Sequence, residues 1–177
     1  MSASPRDIIP GMQMEGKPQE IPISEELFQK TREKAETAYQ AVGSVNCPYL
    51  KAKVNFDATG LAHIKFKSWA RPRSAFDQYV RLKLLHLAPE VLKSSHTVQG
   101  IWHTSLWERR KRHGNWEKVM KPVTYYEFVA VIGKVRIKVI VKLVEGGELH
   151  FWSIIPFWRM NEVTKNRKLY DGDLEND

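Results

Sequence analysis

The chain has 177 residues, an apolar fraction of 42% and a formal charge of +8, which suits one ordinary core with an accessory N-terminal segment. Its single cysteine, Cys47, excludes an internal disulfide and a cysteine-built zinc site. No run reaches the roughly 18 apolar residues of a membrane span and the N-terminus has no signal-like apolar core, so the expected location is cytoplasmic.

Residues 1–22 hold four prolines and two glycines without periodicity, and they read as a flexible arm. Residues 23–50 read as an accessory helix and linker: Ser24 is placed to cap, Glu25 and Glu26 favour the first turn, and Gly43 ends the run. The main α+β domain is expected over 51–162, followed by a polar, acidic tail at 163–177. Val54 and Phe56 predict a short strand and Asp57 to Gly60 a turn; Leu61 to Phe66 fits a second short strand or a one-turn helix. The basic, proline-bearing Ser68 to Arg73 stretch predicts a loop.

Ser74 and Asp77 form a capping pair for a helix reaching about Leu87, with Phe76, Tyr79, Val80, Lys83, Leu84 and Leu87 on its stripe and Arg81 off it. From Thr97 to Arg109 a strand is expected, with Val98, Trp102 and Leu106 inward. Arg109 to His113, RRKRH, then reads as a cationic loop, and Trp116 to Lys121 as a return to the sheet. Most of the six tryptophans are expected in the core, Trp152 above all.

Tyr125 to Trp158 reads as three strands divided at Gly133 and at Gly146-Gly147. Two-residue turns at both breaks set Glu127 opposite Ile140, Val129 opposite Lys138, Ile140 opposite Ser153 and Val141 opposite Trp152. Val135, Ile137, Val139, Val141, Tyr126, Phe128, Trp152 and Ile154 then meet the core, as does His150. Tyr125, Glu127, Arg136, Lys138, Lys142 and Ser153 share the other face, unless a β-bulge exchanges faces along part of a strand. The expected fold is α+β, with N-terminal helices packed on a twisted antiparallel meander.

That polar face carries chemistry. Cleaving RNA without a metal needs a base for the 2′-hydroxyl, an acid for the leaving oxygen and cations about the phosphate. Tyr125, Glu127, Arg136, Lys138 and Ser153 supply much of this set, and His63 is the histidine placed to complete it. A solvated sheet on which Glu127 merely neutralises its cationic neighbours is the plainer alternative. The last seven residues, DGDLEND, hold four of the 20 acids; without them 28 bases face 16 acids, which favours a polyanionic partner. Arg109, Arg110, Arg112 and Trp116 combine phosphate-binding charge with a stacking ring. The six histidines lack metal-ligand spacing and there is no glycine-rich phosphate loop, so no metal and no cofactor is expected.

GLAHIKFK from Gly60, DQYVRLKLLHLAPE from Asp77, YYEFVA from Tyr125 and GGELHFWSIIPFW from Gly146 resemble the barnase, EndoU, colicin and RelE group of nuclease-like domains, in its phage and polyvalent-protein branch. The resemblance covers roughly Lys51 to Met160. It implies a metal-independent ribonuclease, often a toxin against tRNA or mRNA held by an inhibitory partner, with its site on the open sheet face. On the matching positions it implies His63 as acid or base with Lys65 beside it, Arg81 as a phosphate-binding cation, Glu127 as base, Arg136 and Lys138 as strand cations, and Ser153 as the late-strand polar residue. Apart from the resemblance, Arg71, in the basic stretch with Lys67 and Trp69, is a further candidate RNA contact by charge and stacking. The late-strand histidine of the group is not matched. A non-catalytic nucleic-acid-binding module, or an interaction module for an acidic protein, would need only the basic patch.

Overall fold

Two glycine-bearing turns and the alternating strands between them set the sheet. The computed structural model describes residues 23–68, 71–112, 114–160 and 167–169; the expected arm, Trp69, His113 and most of the expected tail lie outside the described residues. Helix α1 (Glu25–Val42) is followed by β1 (Ser44–Cys47), β2 (Ala52–Asn55), α2 (Ala58–Lys65), β3 (Phe66–Ser68), β4 (Arg71–Pro72), α3 (Ala75–Leu84), a 3-10 turn (Leu85–Leu87) and α4 (Ala88–Ser94). The chain then becomes β5 (Gly100–Arg112), β6 (Asn115–Ile132), β7 (Val135–Val144), β8 (Leu149–Pro156), β9 (Trp158–Met160) and β10 (Arg167–Leu169). The main sheet has the order β1-β2-β8-β7-β6-β5. It is antiparallel except where β2 meets β8, parallel, at Asn55 and His150. The class is therefore α+β.

Local chemistry accounts for the helix starts. Ser24 Oγ accepts from Leu27 N–H at 3.3 Å, and Ser74 Oγ from Asp77 N–H at 3.2 Å, each satisfying one of the orphan donors of a first turn. Asp57 to Gly60 is not a free turn. Asp57 caps α2, its Oδ1 accepting from Thr59 and Gly60 N–H at 2.9 and 3.0 Å, so the strand alternative for Leu61 to Phe66 gives way to helix. Gly60 is required by close approach: a Cβ there would stand 2.3 Å from the Phe151 carbonyl oxygen and 2.6 Å from the Tyr39 hydroxyl.

One core joins these layers. Tyr39 of α1, Ile64 of α2, Leu82 of α3, Val91 and Leu92 of α4 pack on Phe128, Ile137, Val139, Val141, Phe151 and Ile154 of the sheet. The Phe56 and Phe151 rings stack at 5.0 Å, and Tyr39 meets both edge-on.

The turn at Gly133-Lys134 has positive φ at both residues, and β6 and β7 pair in the expected register, Glu127 with Ile140 and Val129 with Lys138. At the other break the expectation holds only in part. Ile140 does face Ser153 and Val139 faces Ile154, but a bulge then sets Val141 opposite Phe151, Lys142 opposite His150 and Leu143 opposite Leu149. The loop around Gly146-Gly147 is thus longer than two residues. Trp152, the extra residue of the bulge, leaves the core to Phe151; His150, expected inward, moves to the face of Lys142.

Strand β5 also differs from expectation. Trp102 and Leu106, expected inward, are 62% and 41% exposed, because the register sets them opposite Tyr125 and Lys121, on the face turned away from the core. Arg109 to Arg112 continue β5 rather than forming a loop, pairing with β6 as far as Arg112 and Asn115. Gly114, with φ of 86°, lies at the tip.

Candidate active site on the open sheet face

Beyond its pair with β2, β8 is flanked by α3, and this junction creates a cavity of about 370 Å³. Its walls are His63 from α2, Arg73 and Arg81 about the start and middle of α3, Trp102 from β5, Tyr125 and Glu127 from β6, and Trp152 and Ser153 from β8. Of the side chains expected to supply the chemistry, His63, Tyr125, Glu127 and Ser153 therefore share one space. Lys138 stands beside it with its Nζ 2.9 Å from Glu127 Oε2.

An arginine lattice fixes the rear wall. Asp77 Oδ1 accepts from Arg81 Nε at 3.1 Å and Asp77 Oδ2 from Arg73 Nη1 at 3.4 Å. Arg81 Nη1 donates to Ser153 Oγ at 3.1 Å and to the Ile154 carbonyl at 2.6 Å, while Arg73 Nε donates to the His63 carbonyl at 3.2 Å. Arg81, expected off the helix stripe as a phosphate ligand, is only 7% exposed. Burial lowers its pKa and Asp77 opposes the shift, so its first task is to hold β8 and Ser153 against α3.

The aromatic side is a stack. The His63 ring lies 4.1 Å from Trp152 at 27°, Lys142 Nζ sits 4.0 Å from the Trp152 centroid and 5.8 Å from that of Tyr125. Lys142 is 8% exposed and its pKa is lowered by burial; contact with two ring faces compensates part of that desolvation. Burial raises the Tyr125 phenol. Trp152 also walls a second, largely apolar cavity of about 640 Å³, shared with His63, Ala58, Thr59, Ala62, Phe66 and Lys67.

His63 is pushed down to about 4, first by burial and then by Arg73, Arg81 and Lys142, with the Trp152 backbone acting in the opposite direction. Its Nδ1 is buried without a hydrogen-bond partner among the described residues. The fold therefore favours the neutral ring. Unfolded histidine binds a proton below about 6.5, folded His63 only below about 4. Stability from this group is present above pH 6.5 and is lost as pH falls from there toward 4. After a discount for partial exposure, wild type should lose about 2 kcal/mol more than His63→Phe between pH 7 and pH 4 in urea denaturation. Equal losses would contradict this environment for the ring.

The other expected contacts lie elsewhere. Lys65 Nζ is 2.6 Å from Glu36 Oε1 on α1, a structural tie. Arg71 is exposed in β4, and the Arg136 guanidinium lies 4.7 Å from the Phe157 ring centroid. Arg109 and Trp116 are exposed on the β5–β6 hairpin, where Arg110 and Arg112 hold backbone positions opposite Glu117 and Asn115. His150 stands 6.0 Å from Trp152 but does not line the cavity. Arg73, Trp102, Lys142 and Trp152 were missed as site residues. The open-face parity of Lys142 was the one available signal among them. Among the described residues no three His, Cys, Asp or Glu side chains converge as a metal-ligand set.

No protein-family model, curated protein or solved structure matches the chain.

Proposed function

We propose that the chain is a metal-independent endoribonuclease working from the open sheet face. The convergence of His63, Tyr125, Glu127 and Ser153 with Arg73 and Arg81 about one cavity carries this reading. Carboxylate, imidazole and guanidinium are the groups that internal transesterification of RNA requires.

Glu127 takes the proton of the 2′-hydroxyl, whose oxygen attacks the adjacent phosphorus as the bond to the 5′-oxygen breaks. His63 gives its proton to that departing oxygen. The products are a 2′,3′-cyclic phosphate and a 5′-hydroxyl. His63 is neutral in the empty site, held so first by burial; a phosphate seated beside Arg73 and Arg81 offsets two of the three cations that add to this depression, so the proton affinity of the ring rises as substrate binds. Trp102 and Tyr125 offer ring faces for the flanking bases.

Purified protein incubated with total RNA in EDTA is expected to yield discrete cuts ending in 2′,3′-cyclic phosphate. RNA that is bound but left intact would overturn the enzymatic reading in favour of a binding module.

A further inference from the structure

β5 and β6 run on past the sheet as a two-stranded ribbon: β6 meets β7 only from Val123 onward, while β5 and β6 stay paired out to Arg112 and Asn115. Residues directly opposite share a face, and faces alternate along each strand. One face of the ribbon therefore carries Trp107 opposite Met120, Arg109 opposite Lys118 and Lys111 opposite Trp116. All six are exposed, Trp107 at 67% and Trp116 at 70%. Three cations and no acid occupy these positions, and like charges set directly opposite, as in Arg109 and Lys118, disfavour the free sheet. An anionic partner would relieve that repulsion.

We infer that this face docks single-stranded RNA. The three pairs span about 14 Å at about 6.8 Å per two residues, the length of about four nucleotides stacked at 3.4 Å. Rings at both ends take bases and the cations between them take phosphates, the combination that non-specific single-strand binding uses. A membrane-facing ribbon would gather its apolar side chains together; here Arg109 and Lys118 separate them. By strand alternation this face is the one that carries Tyr126 and Phe128 farther along β6, not the one that carries Tyr125 and Glu127, so the inference goes beyond the nuclease site; it shares with that reading only RNA as ligand, and its test requires no cleavage.

The probe is a fluorescein-labelled 2′-O-methyl RNA oligonucleotide, which has no free 2′-hydroxyl to attack, titrated with the full chain and read by anisotropy. Circular dichroism checks that each variant is folded. Trp107→Ala/Trp116→Ala is expected to weaken binding on the order of 30-fold or more, through two lost stacking platforms. Arg109→Gln/Lys111→Gln/Lys118→Gln is expected to reduce the slope of log affinity against log salt by about 2. Wild-type affinity in the tryptophan variant, or a wild-type slope in the cation variant, would overturn the inference. Binding of wild type to anionic phospholipid vesicles with none to the oligonucleotide would overturn it as well, assigning the ribbon to a membrane surface. Uncut RNA together with ribbon-dependent binding would remove only the nuclease; cut RNA with ribbon-independent binding would remove only this surface.

Discussion

Glu127→Ala and His63→Ala should each slow RNA cleavage by a factor on the order of 10²–10⁴ while the sheet stays folded. The fold tolerates the first change because Glu127 is half-buried and its ion pair to Lys138 at 2.9 Å is partly solvated, a class of contact worth at most about 1 kcal/mol. Its place in the cavity is kept open by the neighbouring strand: a Cβ on Gly100 would come within 2.9 Å of Glu127 Oε2. Two further variants separate chemistry from shape. Glu127→Gln preserves volume but cannot accept the proton, and His63→Phe preserves a ring on Trp152 but carries none. Both should be as inactive as the alanine variants. Full activity in EDTA from Glu127→Gln and His63→Phe would remove these two residues from the chemistry.

The same site shows where the sequence was informative. The Gly133-Lys134 hairpin was legible because a two-residue turn with positive φ fixes register, and strict alternation then placed Tyr125, Glu127 and Lys138 on one face. The bulge at Trp152 was not. HFWSII offers two adjacent large rings, and either fills a core; what selects Phe151 is its stack on Phe56 and the close passage of Gly60, contacts between segments far apart in the chain. With that choice Trp152 and His150 change sides, and Trp152 becomes the surface on which His63 and Lys142 rest. The burial of Arg81 was not legible for a related reason. Helical spacing showed it off the apolar stripe, but spacing does not reveal that the strand beside that flank leaves a carbonyl to be satisfied. For β5, IWHTSLWERRKR holds apolar residues at both parities, so pattern alone could not say that its tryptophans stay outside.

Arg81 yields the largest expected stability effect. Arg81→Met should destabilise the fold by about 3–5 kcal/mol, the usual result of removing one partner from a buried charge pair. The methionine covers the same apolar neighbours but leaves Asp77 with only the longer 3.4 Å contact to Arg73, and strips Ser153 Oγ and the Ile154 carbonyl of their donor. Each of these acceptors is costly to bury unpaired. Arg81→Lys should fall between wild type and Met, since an ammonium keeps the charge but cannot reproduce the fork that reaches Asp77 with Nε and β8 with Nη1. Asp77→Leu introduced into the Met variant should recover part of the loss, because the carboxylate that Arg81 had neutralised is then gone; Arg73 limits the recovery. Urea denaturation of the four proteins at neutral pH measures all of these terms. A loss below about 1 kcal/mol for Arg81→Met, the range of a solvated surface pair, would mean that water reaches the β8 edge in place of the guanidinium. Arg81 would then be free to serve as a phosphate ligand first and a strut second.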